Sequence, residues 1–205
     1  GGVGSETVTG GHANPTITTT DISALPLGVH VITWTAEDID GTIVSDVQTV
    51  TITDLSAPEF PVLEPISIEA TAASTPVTIP GVDTEDLVNG TIAATSDAVA
   101  SYTVGEHTII WTATDTASTP NTDTAEQTLT ITDTTDPVFD VFTDITVSID
   151  GGVHSFTAVP LTATDNAGGV TVTTNFVNGD YGPGTESILW TATDTIGRTT
   201  TATQK

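Results

Sequence analysis

Cysteine and methionine are both missing from this chain, and basic residues nearly so. Arg198 and Lys205 stand alone against 27 Asp and Glu, giving a formal charge of −25. Without cysteine there is no disulfide framework and no thiolate nucleophile. With no cation before Arg198, the chain has almost nothing with which to hold a phosphate backbone or an anionic lipid, so nucleic acid is excluded as a partner. No apolar run approaches the ~18 residues of a membrane helix, which excludes direct membrane insertion of that kind. A basic stretch followed by an apolar one is missing at Gly1, so any signal peptide is expected to be removed or to lie outside this chain. The acidity keeps a protein soluble, and it equally suits contact with metal cations or high salt outside the cell. Lack of cysteine fits a large bacterial surface protein and is also the cytosolic norm.

What the chain does contain is repetition. The heptapeptide IIWTATD at Ile109–Asp115 returns as LWTATD at Leu189–Asp194 and as ITWTAED at Ile32–Asp38. Trp34 and Trp111 are 77 positions apart, Trp111 and Trp190 79. The 79-residue offset also carries Pro58 to Pro137, Phe60 to Phe139, Asp86 to Asp165, Gly90 to Gly169, Tyr102 to Tyr181 and Gly105 to Gly184. TITD at Thr51–Asp54 recurs at Thr130–Asp133. These are tandem modules. Each reads as β-sheet: Thr, Val and Ile alternate with period two, and Gly, Pro, Asn and Asp punctuate them every ~8–12 residues. Thr, roughly a quarter of the residues, is accounted for by its β-propensity on solvent faces. Ile109, Trp111 and Ala113 are predicted on one face, as are Ile188, Trp190 and Ala192, and Ile32, Trp34 and Ala36. A module of ~80 residues without disulfides needs a large anchor. Burying one Trp removes ~150–250 Å² from water. That is at most ~4–6 kcal/mol, so the Trp reads as core, with sugar stacking at the surface as the other use of such a residue.

The order of landmarks resembles the hyalin repeat. DPVFDVFTDITVSI, VPLTATDNAGGVTVT and YGPGTESILWTATDTIGRTTTAT carry the likeness, with Thr162–Gly168, Gly179–Thr185 and Thr191–Gly197 matching the family's segments. Tyr181 stands for the usual Phe and Arg198 for the usual Asn, and the cysteine pair of many animal members is absent. The match is good over 134–205, looser over 55–133, and confined to the later half of 1–54. The resemblance implies an all-β fold of tandem immunoglobulin-like, fibronectin III-related antiparallel β-sandwiches. It also implies a place in extracellular adhesins or matrix proteins, frequently bacterial.

Histidines offer little chemistry. His30 and His107 share a repeat position that Glu186 fills in the third copy, which predicts an exposed strand residue; His12 and His154 fall in glycine-rich turns. No Ser–His–Asp set or carboxylate pair can be assembled from matching positions, so no enzyme is expected. The acids say more. Asp115 and Asp194 end the Trp strand, and Asp86 and Asp165 end an earlier strand. In an immunoglobulin-like sandwich the loops they open lie at the end where the chain enters. The entering linkers bring Asp54 to the first junction, and Asp133 with Asp136 to the second. Asp38 and Asp40 occupy the matching loop of the first module. Pooled carboxylates call for a hard cation, so Asp54, Asp86, Asp115, Asp133, Asp136, Asp165 and Asp194 are candidate calcium ligands at the junctions. Asp is also a good turn residue, and loop capping alone accounts for the same pattern. Asn89-Gly90-Thr91 is a single glycosylation sequon.

The expected organisation is therefore a partial module at 1–54 with its early strands missing, a module at 55–133, and a module at 134–205 whose last strand is cut short. The glycine-rich GGVGSETVTGG start is a poor substitute for the missing strands. Open edges of this kind invite pairing. The chain is either a window on a longer array or a filament subunit completed by its neighbour. The expected function is an extracellular or cell-surface structural or adhesive repeat, a rod or fibre segment that self-associates or adjoins further repeats. A glycan- or protein-binding module and an accessory region of a secreted hydrolase are the alternatives.

Overall fold

Where β-branched residues alternate with small or apolar ones, the backbone is extended, and where Gly, Asp and Pro cluster it turns. The computed structural model describes residues 16–205; GGVGSETVTGG and His12 lie outside the described residues. The described part is all-β. It begins with β1 (Thr16–Thr19), β2 (Gly28–Glu37) and β3 (Ile43–Ile52). Next come β4 (Ile66–Glu69), β5 (Thr75–Pro76), β6 (Asp83–Asp86), β7 (Gly90–Ala93), β8 (Thr95–Ser96), β9 (Ser101–Tyr102), β10 (Gly105–Thr114) and β11 (Thr122–Thr132). The last stretch holds β12 (Val138–Phe139), β13 (His154–Phe156), β14 (Ala163–Thr164), β15 (Thr171–Thr174), β16 (Gly179–Tyr181), β17 (Ile188–Thr193) and β18 (Thr199–Gln204).

The repeat reappears as geometry. β1–β2–β3 and β15–β17–β18 are three-stranded sheets, and β8, β10 and β11 take the same order inside the sheet β4–β11–β10–β8. In each the Trp faces the corresponding partner: Trp34 pairs with Thr19, Trp111 with Ser96 and Trp190 with Thr174. Every Trp then donates its indole N–H to a Gln on the following strand. Trp34 reaches Gln48 at 3.2 Å, Trp111 reaches Gln127 at 3.0 Å and Trp190 reaches Gln204 at 3.2 Å. In two copies the same Gln clasps the segment that enters the module. Gln127 Nε2 donates to the Glu64 carbonyl and Gln204 Nε2 to the Thr143 carbonyl, at 2.8 and 2.7 Å. A buried indole N–H and a stray backbone carbonyl are thus satisfied by one amide. These are tandem immunoglobulin-like β-sheet modules.

Burial follows the predicted faces. Ile109, Trp111 and Ala113 are buried, as are Ile188, Trp190 and Ala192, whereas Ile110 and Leu189 turn to solvent. The first copy departs from this: Ile32 and Ala36 are buried but Trp34 is only half so. Val29, Val31 and Val47 lie exposed on the opposite face of its sheet. The Trp-as-core expectation is met in full by two copies and in part by the first.

Contacts divide the chain into two compact units. One gathers residues to Glu59 with Thr84–Ile92 and Thr114–Asp123; the other gathers Phe60–Asp83, Ala93–Ala113 and Thr124–Lys205. Within the second, Ala70, Ile109, Trp111, Leu129, Ile131 and Ala167 form a continuous buried cluster. β4 pairs in parallel with the end of β11, setting Ile66 opposite Leu129 and Ile68 opposite Ile131.

Candidate functional site

Three strand ends in the first unit deliver carboxylates to one place. Asp54 follows β3, Asp86 ends β6 and Asp115 follows β10, and all three are buried. Each holds its own loop through Oδ1. Asp54 Oδ1 accepts the Ser56 amide at 3.0 Å and the Ser56 hydroxyl at 2.6 Å. Asp86 Oδ1 accepts the amides of Val88 and Asn89, at 2.9 and 2.7 Å. Asp115 Oδ1 accepts those of Ala117 and Asn121, at 3.1 and 2.8 Å. An oxygen from each of the three lies within 4.8 Å of the others. Asn121 covers Asp115 Oδ2 at 2.7 Å, and the Ser56 hydroxyl lies 3.4 Å from Asp86 Oδ2. Asp54 Oδ2 is buried with no partner. Burial pushes the Asp115 carboxyl up, but the Asn121 side chain and the amides of Asn121 and Ala117 outweigh it, and the group sits below its usual value.

The second unit repeats the frame. Asp133 Oδ1 accepts the Thr135 amide at 3.1 Å and hydroxyl at 2.9 Å. Asp165 Oδ1 accepts the Ala167 amide at 2.8 Å, and Asp194 Oδ1 accepts those of Ile196 and Arg198 at 2.9 and 2.8 Å. Asp133, Asp165 and Asp194 again place oxygens within 4.8 Å of one another. Gly169, with φ +65°, lets the loop after Asp165 press against the one after Asp194; a Cβ there would lie 2.5 Å from the Thr195 methyl. Asn166 donates to the Ala70 carbonyl at 2.6 Å and meets the Thr135 hydroxyl through its Oδ1. Asp133 Oδ2 and Asp194 Oδ2 are both buried without partners.

Six of the seven sequence candidates therefore fall into two trios. Asp136 does not: it is exposed and takes the Arg198 guanidinium at 2.7 Å. Asp38 accepts the Ile39 amide in its own turn. The turn reading holds for all six clustered residues, yet it occupies one oxygen of each and leaves the other. His30 and His107 are half-buried rather than exposed, each donating to a carbonyl four residues back, at Pro26 and Thr103. The sequence reading missed Ser56 and Thr135, whose hydroxyls tie the linker Asp to the loop Asp. Their signal was present: both stand two residues after the linker Asp, 79 positions apart. It also missed Asn121 and Arg198, which take equivalent places after the Trp strand.

A trio of carboxylates without a cation is repulsive. Two of them ~5 Å apart cost ~3 kcal/mol at an effective dielectric of ~20. Hard oxygen donors of this kind can hold a divalent metal ion.

No protein-family model matches this chain, and no curated protein matches it in sequence. Solved structures do superpose. A fragment of human CDH23, repeats EC21–23, is 18% identical with a TM-score of 0.36, covering 87% of this chain and 74% of that one. Protocadherin gamma C5 EC1–3 is 14% identical at 0.35, covering 86% and 75%. Mouse protocadherin-24 EC1–3 is 15% identical at 0.32, covering 87% and 78%. Superpositions this loose speak to neither ligand nor partner.

Proposed function

We propose that this chain is a structural segment of an extracellular adhesive or fibre-forming repeat protein, with no catalysis of its own. It comprises hyalin-repeat-like modules with boundaries near 1–54, 55–133 and 134–205. The observation that carries the reading is the Trp–Gln clasp, made three times on the same strand pair in the same register. Selection that repeats a core device while leaving no shared catalytic group acts on length and spacing rather than on chemistry. A strongly acidic surface suits a molecule bathed in extracellular cations. Its partners are further repeats of the same kind, in the same chain or in a neighbouring copy. Negative-stain electron microscopy of the intact chain tests this. Elongated particles of beads in line, or ordered fibres, are expected; a uniformly globular particle overturns the reading.

A second reading, ligand binding, has one observation behind it. A cavity of about 370 Å³ in the second unit is lined by Ile145, Phe156, Phe176, Tyr181 and Ile188. Phe176 and Tyr181 stack there at 5.1 Å, an arrangement that suits the flat face of a sugar. Saturation-transfer NMR against neutral oligosaccharides, lost in Tyr181→Ala, would favour it.

A further inference from the structure

We propose that each aspartate trio binds one divalent cation, calcium in preference to magnesium. The inference stands on the carboxylates themselves and goes beyond the structural role argued above. Three of the six carboxylates keep an orphaned, buried oxygen. Asp54, Asp133 and Asp194 are 8%, 6% and 7% exposed, and each keeps a buried Oδ2 with no donor. A buried carboxylate oxygen that no protein group reaches as a donor calls for a cation to meet it. Among the described residues no side chain supplies one. The chain has two cations in all, and the one beside the second trio, Arg198, is engaged by Asp136.

The donor set selects the ion. Both trios bring three carboxylate oxygens within 4.8 Å of one another, inside the reach of a single cation. Three carboxylates leave the remaining positions of a 6–8-coordinate ion to backbone carbonyls and water, which calcium accepts more readily than the strictly octahedral magnesium. With every Oδ1 held by its own loop, the second oxygens face the ion, and in the first trio it shares Asp115 Oδ2 with the Asn121 amide.

The test is calorimetric titration of the intact chain with calcium chloride and, separately, magnesium chloride at constant ionic strength, with melting followed in parallel. The expected result is saturable uptake of two calcium ions per chain, with Kd ~10⁻⁴–10⁻³ M, weaker magnesium binding and a raised Tm. Asp115→Asn and Asp194→Asn should each reduce the stoichiometry from two to one. Should Asp194→Asn fail to fold, Asp165→Asn at the half-exposed member of the same trio provides the same reading. Non-saturable uptake, a melting response equalled by sodium chloride, or two ions still bound by a folded single variant would each overturn the proposal. Equal affinity for magnesium would overturn the choice of ion.

Discussion

The two trios share a backbone frame and differ at one decisive position. Asn121 and Arg198 both follow the Trp strand, and both exchange backbone hydrogen bonds with its terminal aspartate. Asn121 turns its amide inward onto Asp115 Oδ2. Arg198 turns outward to Asp136, and Asp194 Oδ2 is left bare. One trio thus has a single orphaned oxygen and the other has two. The hydrogen-bonded turns fix where the carboxylates are; a neighbouring side chain fixes how much of their charge is already answered.

The frame itself is the largest energy in the comparison, and removing it should have the largest effect. Trp190→Ala takes a fully buried indole from the strand that carries Asp194, and leaves the inward face of Gln204 without its donor. A loss of ~3–5 kcal/mol is expected. Trp34→Ala, at a half-buried site, should cost clearly less. Urea denaturation followed by circular dichroism checks the ranking. Equal losses would mean that Trp34 is as much a core residue as its counterparts, contrary to its exposure.

That difference between Trp34 and Trp190 shows where sequence stops being informative. The inward face of each Trp strand was legible, because period-two alternation depends only on the chain's own geometry. How deeply the face is covered depends on what packs over it, and no letter in ITWTAED reports that. The trios were legible for a related reason. Asp86 with Asp115, and Asp165 with Asp194, recur at a constant offset, and the linker Asp precedes each module. Asp136 lies outside the trios because its side-chain direction is settled by a cation 62 residues away. The Gln clasp stayed hidden since the Trp-to-Gln spacing changes from 14 to 16 with hairpin length. The two roles of each aspartate, one oxygen for the turn and one for the cluster, had looked like competing explanations. At atomic level they are compatible.

The next effect separates the trios in chelator-treated protein. Asp115→Asn sacrifices hydrogen bonds to a charged group, from Asn121 and two amides, each worth ~1.5–3 kcal/mol at most. Relief of repulsion offsets part of that. Asp194→Asn relieves the same repulsion while losing fewer partners of its second oxygen. Asp115→Asn is therefore expected to be the more destabilising by ~1–2 kcal/mol without metal. The reverse order in thermal melts with chelator would show that the orphaned oxygen of Asp194 carries no penalty.

Exchanging the deciding side chain should turn one trio into the other. Arg198→Asn places an amide where Asn121 stands and gives up the exposed pair with Asp136, which is worth ~0–1 kcal/mol. Metal-free stability should change by less than ~1 kcal/mol. Calcium affinity of the second trio should move toward that of the first. If titration shows both trios unaltered, position 198 does not tune the site.

The smallest effect is a pH dependence belonging to the second trio's linker. Glu69 accepts the Thr134 amide at 2.7 Å and its hydroxyl at 3.0 Å, one residue beyond Asp133. The Thr134 amide is the chief reason its carboxyl lies below the usual value of 4.5; slight desolvation opposes the shift, and the Thr134 and Thr132 hydroxyls and the Arg198 charge assist it. A depressed folded pKa means the unfolded chain takes up the proton first. The contribution is therefore fully present above about pH 4.5 and is lost as pH falls through the lower folded value. Glu69→Gln should lower stability slightly at neutral pH and flatten the acid limb, so that wild type and variant converge toward pH 3. Melting curves between about pH 3 and pH 7 decide it, and a constant gap across that range would mean that the Glu69 charge plays no part in holding the linker.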